Sequence, residues 1–207
     1  MLKQDFIAIT GGPSGGKTTL IEAIRRDLGK QISIVPEAAS LIYRGGFPRI
    51  RTTNGAIHAQ KAIFHVQRSL ENLMSSENKE KLIVCDRGSL DGVAYWPSSD
   101  KDFFKILETS KSKELKRYSW VIHLDTAGND FYDLSNPLRT ETYSEALELN
   151  DKVKRAWEGH PQRFVISHNQ DFLSKMSFAL NIIHEIIDGE SYPKIKKKFF
   201  KSSSHRN

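Results

Sequence analysis

The stretch FIAITGGPSGGKTTLIEAI, residues 6–24, decides the fold. Its opening residues are apolar without alternation, as in a strand buried on both faces. GGPSGG follows, and then KTTLIEAI, whose apolar positions recur at helical spacing. Strand, glycine-rich turn and helix, in that order, are the context in which Gly11, Gly16, Lys17 and Thr18 spell the G-x-x-x-x-G-K-[ST] phosphate loop. The loop runs through Gly11, Gly12, Pro13, Ser14, Gly15, Gly16, Lys17, Thr18 and Thr19. Its backbone N–H groups can converge on a triphosphate because glycines leave the approach open. Lys17 is expected to reach the β- and γ-phosphates and Thr18 to ligate Mg²⁺. The helix that follows aims its positive N-terminus at the anion. The chain therefore reads as a nucleoside triphosphate-binding protein.

Composition narrows the surroundings of that loop. With 207 residues the chain is one moderate domain with room for a sizeable core. A single cysteine, Cys85, excludes an internal disulfide framework and fits a reducing, cytoplasmic setting. The first strand starts too close to Met1 for a signal peptide, and no apolar run reaches membrane-spanning length. The net charge of +6 is concentrated in Lys194, Lys196, Lys197, Lys198, Lys201 and Arg206; without these, basic and acidic residues balance. A neutral body argues against a nucleic-acid face on the domain. Residues 191–207 read as a basic flexible tail beyond a nucleotide-binding domain of residues 1–190. Phe199 and Phe200 among the lysines suit weak contact with anionic lipid headgroups, with nucleic acid or plain solvation as the competing readings.

Strand-like and helix-like segments alternate, which predicts an α/β fold with a parallel sheet. Strands are expected at Phe6–Thr10, Ile32–Pro36, Leu82–Asp86, Trp120–Asp125 and Arg163–Ser167. Helices are expected at Lys17–Leu28, Gly55–Ser76, Ser144–Trp157 and Phe172–Ile187, with one or two more across Leu90–Tyr118. Two polar stretches, Arg44–Asn54 and Thr126–Tyr143, are long enough to serve as binding loops or lids.

Further chemistry falls at the C-terminal ends of strands, where α/β proteins place their sites. The second strand ends in Val35-Pro36-Glu37 and the third in Cys85-Asp86-Arg87-Gly88-Ser89. A carboxylate there can accept a proton from an acceptor hydroxyl or hold Mg²⁺ through water, and an arginine can neutralise a phosphoryl group in flight. Ile83-Val84-Cys85-Asp86 also has the shape of a Walker B strand. The alternative for each acid and for the arginine is a solvated group at a strand end. Cys85 and the three tryptophans, Trp96, Trp120 and Trp157, read as packing residues. The histidines show no metal-ligand spacing.

The phosphate loop, V-P-E after the second strand and D-R after the third resemble the deoxyribonucleoside and thymidylate kinase group. ITGGPSGGKTT, VPEAA and CDRGSLDG together resemble, more closely, the small AAA-type ATP-binding family that includes nicotinamide riboside kinase domains. The resemblance covers about the first 190 residues. It implies a five-stranded parallel sheet of order 2-3-1-4-5, helices on both faces and a lid between the fourth and fifth strands. It makes Glu37 the candidate general base, Arg87 a phosphate-binding arginine and Asp86 a Mg²⁺-associated carboxylate. It places Gln60 where those kinases present a glutamine to the acceptor base, with Gln67 two turns on. Asp91 corresponds to their acidic substrate contact but comes one residue early, and Gly88 stands where they have serine.

Arg139, in the polar loop, is the candidate lid arginine over the donor phosphates; the alternative is a helix-start pair with Glu141 or Glu145. Residues 167–172 fall where related kinases build part of the adenine pocket, although Asp171 also suits a helix N-cap. Asp125-Thr126-Ala127-Gly128 matches the D-x-x-G switch of small GTPases, but far from the phosphate loop and without a guanine-reading N-K-x-D. The expected function is ATP·Mg²⁺-dependent phosphoryl transfer to a hydroxyl of a small nucleoside-like acceptor, with GTP as the other possible donor. A nucleotide-gated regulatory NTPase acting through a partner or membrane is the alternative.

Overall fold

Strand β1 (Phe6–Gly11) is buried along its whole length, as its unbroken apolar sequence requires of a central strand. The computed structural model describes residues 5–79, 81–128, 142–167 and 171–200. Around β1 the strands β2 (Ile32–Val35), β3 (Leu82–Asp86), β4 (Trp120–Leu124) and β5 (Arg163–Ile166) form one sheet of order β2-β3-β1-β4-β5. All four pairings are parallel, with Ile9 opposite both Asp86 and Ile122. This is the expected topology.

Side-chain alternation splits the core into two layers. Ile7, Ile9, Ile122, Leu124 and Phe164 meet helices α1 (Lys17–Leu28) and α8 (Phe172–Ile187) on one face. Ala8, Ile83, Cys85 and Val121 meet the other layer, where Phe64 lies on α3 (Thr53–Glu77) and Trp157 closes α7 (Tyr143–Ala156). Caps fix where several helices begin. The Thr52 hydroxyl accepts from the Gly55 N–H at 3.1 Å, Thr142 and Glu145 form a reciprocal capping box, and Asp171 accepts from the Ser174 N–H at 3.0 Å. The N-cap reading of Asp171 is the one its side chain realises. Cys85 is fully buried, and its thiol is pushed up by burial, so it packs as an inert group. Trp96, Trp120 and Trp157 are buried as well.

The structure corrects the sequence reading in two places. A short helix, α2 (Ala38–Arg44), follows Glu37, and three short helices, α4 (Asp91–Ala94), α5 (Asp100–Ile106) and α6 (Lys111–Leu115), replace the expected one or two. The supposed flexible tail carries helix α9 (Tyr192–Phe200). Ile195 is fully buried, and the Phe200 ring stacks on Phe164 at 5.5 Å while Phe199 meets Phe178 edge-on at 5.4 Å. Tyr192, Ile195 and Phe199 recur at helical spacing and therefore share one face, which the lysine run conceals in the sequence. Those rings belong to the core layer and are not free to enter a lipid surface. Two of the lysines are paired, Lys194 with Glu190 at 3.0 Å and Lys198 with Glu185 at 2.6 Å.

Candidate active site

The phosphate loop links the end of β1 to α1, whose first residue is Lys17. Gly11 has φ +131° and lies so close to the Leu124 carbonyl that a side chain would collide with backbone. Only glycine fits that approach. Ser14 adopts φ +56°, and its buried hydroxyl has no hydrogen-bond partner. An orphaned hydroxyl inside a loop of converging N–H groups is the complement a phosphate oxygen supplies. Lys17 is 8% exposed, and its ammonium donates to the Gly11 and Gly12 carbonyls at 3.0 and 2.5 Å. Burial, with Arg87 nearby, lowers its pKa to about 7, so the lysine is held at a cost that an anion would relieve. Thr18 is exposed at the start of α1, directly after Lys17. Among the described residues no cluster of three or more His, Cys, Asp or Glu could hold a metal, and Mg²⁺ in such a loop needs only one or two protein groups beside the phosphates.

Beside the loop, Glu37, Arg87 and Asp91 are joined in one chain of charges. The Arg87 Nε donates to a Glu37 oxygen at 2.5 Å, and Arg87 Nη1 donates to Asp91 Oδ2 at 3.0 Å. Burial raises the Glu37 carboxyl, but the Arg87 guanidinium and the Ser40 hydroxyl outweigh it and leave the pKa below the usual carboxylate value. Glu37 is therefore ionised at neutral pH and able to accept a proton. Asp86 behaves oppositely: burial and the Glu37 charge raise its pKa to about 6. Two acids close together with opposite shifts have different chemistry open to them.

Arg87 itself sits at φ +73°, a left-handed backbone that costs a non-glycine residue about 1–3 kcal/mol. A buried network holds it there. The Arg87 N–H donates to the Ile9 carbonyl at 2.9 Å, and the Gln67 amide donates to the Arg87 carbonyl at 3.2 Å and to Glu71 at 3.0 Å. Glu71 accepts from the Tyr118 hydroxyl at 2.6 Å and pairs with Arg117. Gln67 thus faces the arginine turn. Asp91 is similarly committed, accepting from Thr10 and from the Trp157 indole at 2.7 Å each in addition to Arg87. Gly88 also has its reason in the fold, because a Cβ there would stand 2.6 Å from the Trp157 ring.

These groups open onto a cavity of about 220 Å³ on the α3 side of the sheet. Glu37, Arg87 and Asp91 line one part of it, and Gln60, Phe64, Tyr95, Tyr43 and Arg49 other parts. Pockets for drug-sized ligands start at roughly 300 Å³, so this one suits a small metabolite. Tyr43 and Arg49 carry no motif and were not singled out in the sequence. The D-x-x-G match has a different use: Asp125 pairs with Lys154 at 2.8 Å and accepts from the Asn150 amide at 2.9 Å, while Asn150 Oδ1 accepts from the Gly12 N–H at 3.0 Å. Asp125 thereby fastens α7 to the phosphate loop. Arg139 and residues 168–170 lie outside the described residues. At the start of α8, Phe172 and Leu173 expose apolar surface, and Phe172 would lie 3.1 Å from a Cβ on Gly16.

A phosphate loop at the tip of a central parallel strand, with acid and arginine on the neighbouring tips, defines a P-loop nucleotide-binding protein. The AAA domain family model matches residues 6–174, and the chain belongs to that family. Solved structures that share the fold include two of one kinase. Deoxyadenosine kinase from M. mycoides with bound dATP superposes with TM-score 0.56 at 15% identity, covering 87% of this chain and 100% of that one. The same kinase with bound dCTP gives 0.52 at 18% identity, covering 87% and 99%. No curated protein matches the chain. Among the described residues no helix is long and apolar enough to cross a membrane.

Proposed function

We propose that the protein is an ATP-dependent phosphotransferase that moves the γ-phosphoryl group to a hydroxyl of a small acceptor held in the α3-side cavity. The observation that carries this reading is the Glu37–Arg87 pair, an ionised carboxylate on a guanidinium that also lies 3.4 Å from the Gly11 carbonyl of the phosphate loop. A site built only for hydrolysis needs a positioned water but no cavity on the far side of the carboxylate. Thr18 and Asp86 are the residues that would hold Mg²⁺, which would supply neutralisation of phosphate charge. Lys17 grips the β- and γ-oxygens, and the apolar surface at Phe172 and Leu173 suits a nucleobase. Glu37 takes the proton of the acceptor hydroxyl, and Arg87 balances charge on the group in transit. Gln60 contacts the acceptor from α3. Asp91 and Gln67 act through Arg87, fixing its side chain and its backbone. The deoxyadenosine kinases sharing the fold bind deoxynucleotides, which favours a nucleoside-like acceptor here.

The test is a screen of nucleosides and vitamins for acceptor-stimulated ADP release. ADP release that rises with one acceptor class, with phosphate appearing on it, is the expected result. ADP release indifferent to every acceptor would put a hydrolase or nucleotide-gated regulator in its place.

A further inference from the structure

We infer that the acceptor carries an anionic group, bound by Arg49 on the Tyr43 side of the cavity. This deepens the phosphotransferase reading and rests on it. Between Glu37 and Glu71 the chain places Arg44, Arg49, Arg51, Lys61 and Arg68 and no aspartate or glutamate. That segment contains α2, the following loop and most of α3, which form one wall of the cavity. Arg68 is accounted for, donating to both oxygens of buried Glu114 at 2.8 Å. Arg49 is not. It lines the cavity with its guanidinium 4.2 Å over the Tyr43 ring, and among the described residues no carboxylate pairs with it.

The cavity's charges are segregated. Both lining acids, Glu37 and Asp91, share Arg87 at the inner end beside the phosphate loop. Arg49 stands over Tyr43, in the last turn of α2. A ligand complementary to both groups presents a hydroxyl to Glu37 and an anion to Arg49. Stacking on Tyr43 holds the guanidinium plane in place, which lowers the ordering cost of a forked contact to a carboxylate or phosphate. Arg44 and Arg51, both exposed and flanking Arg49 in the chain, add to the positive field of this segment.

The experiment measures binding separately from turnover. With ADP·Mg²⁺ saturating the phosphate loop, thermal-shift titrations compare ribonucleosides with their 5′-monophosphates and glucose with gluconate. In the wild type, an anionic member is expected to bind roughly tenfold or more tightly than its neutral partner. Arg49→Ala should abolish that difference and Arg49→Lys should keep part of it. The monophosphate and gluconate arms decide between phosphate and carboxylate. Equal or tighter binding of the neutral members, absence of binding by every anion, or a preference that survives in folded Arg49→Ala overturns the inference. Arg49-dependent anion binding without phosphoryl transfer would leave the inference standing and overturn the phosphotransferase reading. Transfer to neutral acceptors alone would do the reverse.

Discussion

The phosphate loop and the cavity proposed for the acceptor lie side by side and are built in opposite ways. The loop is nearly all backbone, set by nine consecutive residues from Gly11 to Thr19, with Lys17 as its cation. The cavity is side chains from α2 and its N-cap, the loop after α2, α3, the turn after β3 and α4, and its key pair, Glu37 and Arg87, is fifty residues apart in the chain. A local site depends on φ/ψ values and tolerates little else; an assembled site depends on buried networks that hold each group at its post. Damage should follow that division.

The largest effect is expected from Lys17→Ala. It removes the cation proposed to meet the β- and γ-phosphates, so ATP affinity should fall by roughly a hundredfold or more. The helical content of the variant should be unchanged because Lys17 belongs to the loop and not to either core layer. Calorimetric titration measures the first and circular dichroism the second. Wild-type affinity in the variant would erase the distinction between a donor loop and an acceptor cavity.

Arg87→Lys should split the two regions. A point charge cannot span Glu37 and Asp91 as the guanidinium does, so transfer should drop by roughly a hundredfold while ATP affinity stays within a few-fold. Equal losses in both would mean that Arg87 serves the donor site.

How far the sequence could be read follows the same line. Gly11, Lys17 and Thr18 were legible because one short segment carries the motif and its structural context. The parallel sheet follows from the alternating pattern, and its strand order only from the resemblance. Gln60 and Asp91 read as the substrate contacts, yet Asp91 is engaged with Arg87 four residues away, and Gln67, two turns beyond Gln60, holds the Arg87 carbonyl twenty residues away. Arg49 and Tyr43 were invisible because their meaning depends on α2, too short to leave a clear period. Helix α9 was hidden for a different reason: charge dominated a segment whose apolar residues, Tyr192, Ile195 and Phe199, share one buried face.

A smaller effect is expected one step behind the site. Gln67→Leu removes the donor to the Arg87 carbonyl, leaving a strained turn less well held and Glu71 short of one partner. Transfer should fall by roughly tenfold, mainly in kcat, with the ATP Kd unchanged. Steady-state kinetics with the acceptor found by screening would show it, and a change confined to KM would mean that Gln67 touches the acceptor directly.

The smallest signal is a fraction of a proton. Lys17, lowered to about 7 by burial, is partly neutral at pH 7.5, and a polyphosphate at its ammonium raises that pKa again. ADP binding without Mg²⁺ should therefore take up protons at pH 7.5 and take up fewer toward pH 6, where Lys17 is already charged. Calorimetry in buffers of different ionisation enthalpy reads the uptake, which Lys17→Met should remove. Proton release by the wild type at pH 7.5 would contradict the account of Lys17.

The central claim is that Glu37 serves the acceptor and not the donor. The direct measurement is phosphorylated acceptor formed per unit time, by mass spectrometry, in wild type and Glu37→Gln, alongside the ATP Kd of each. The account predicts an unchanged Kd within a few-fold and a loss of product of roughly a hundredfold or more. Product formation at a near wild-type rate in Glu37→Gln would contradict it.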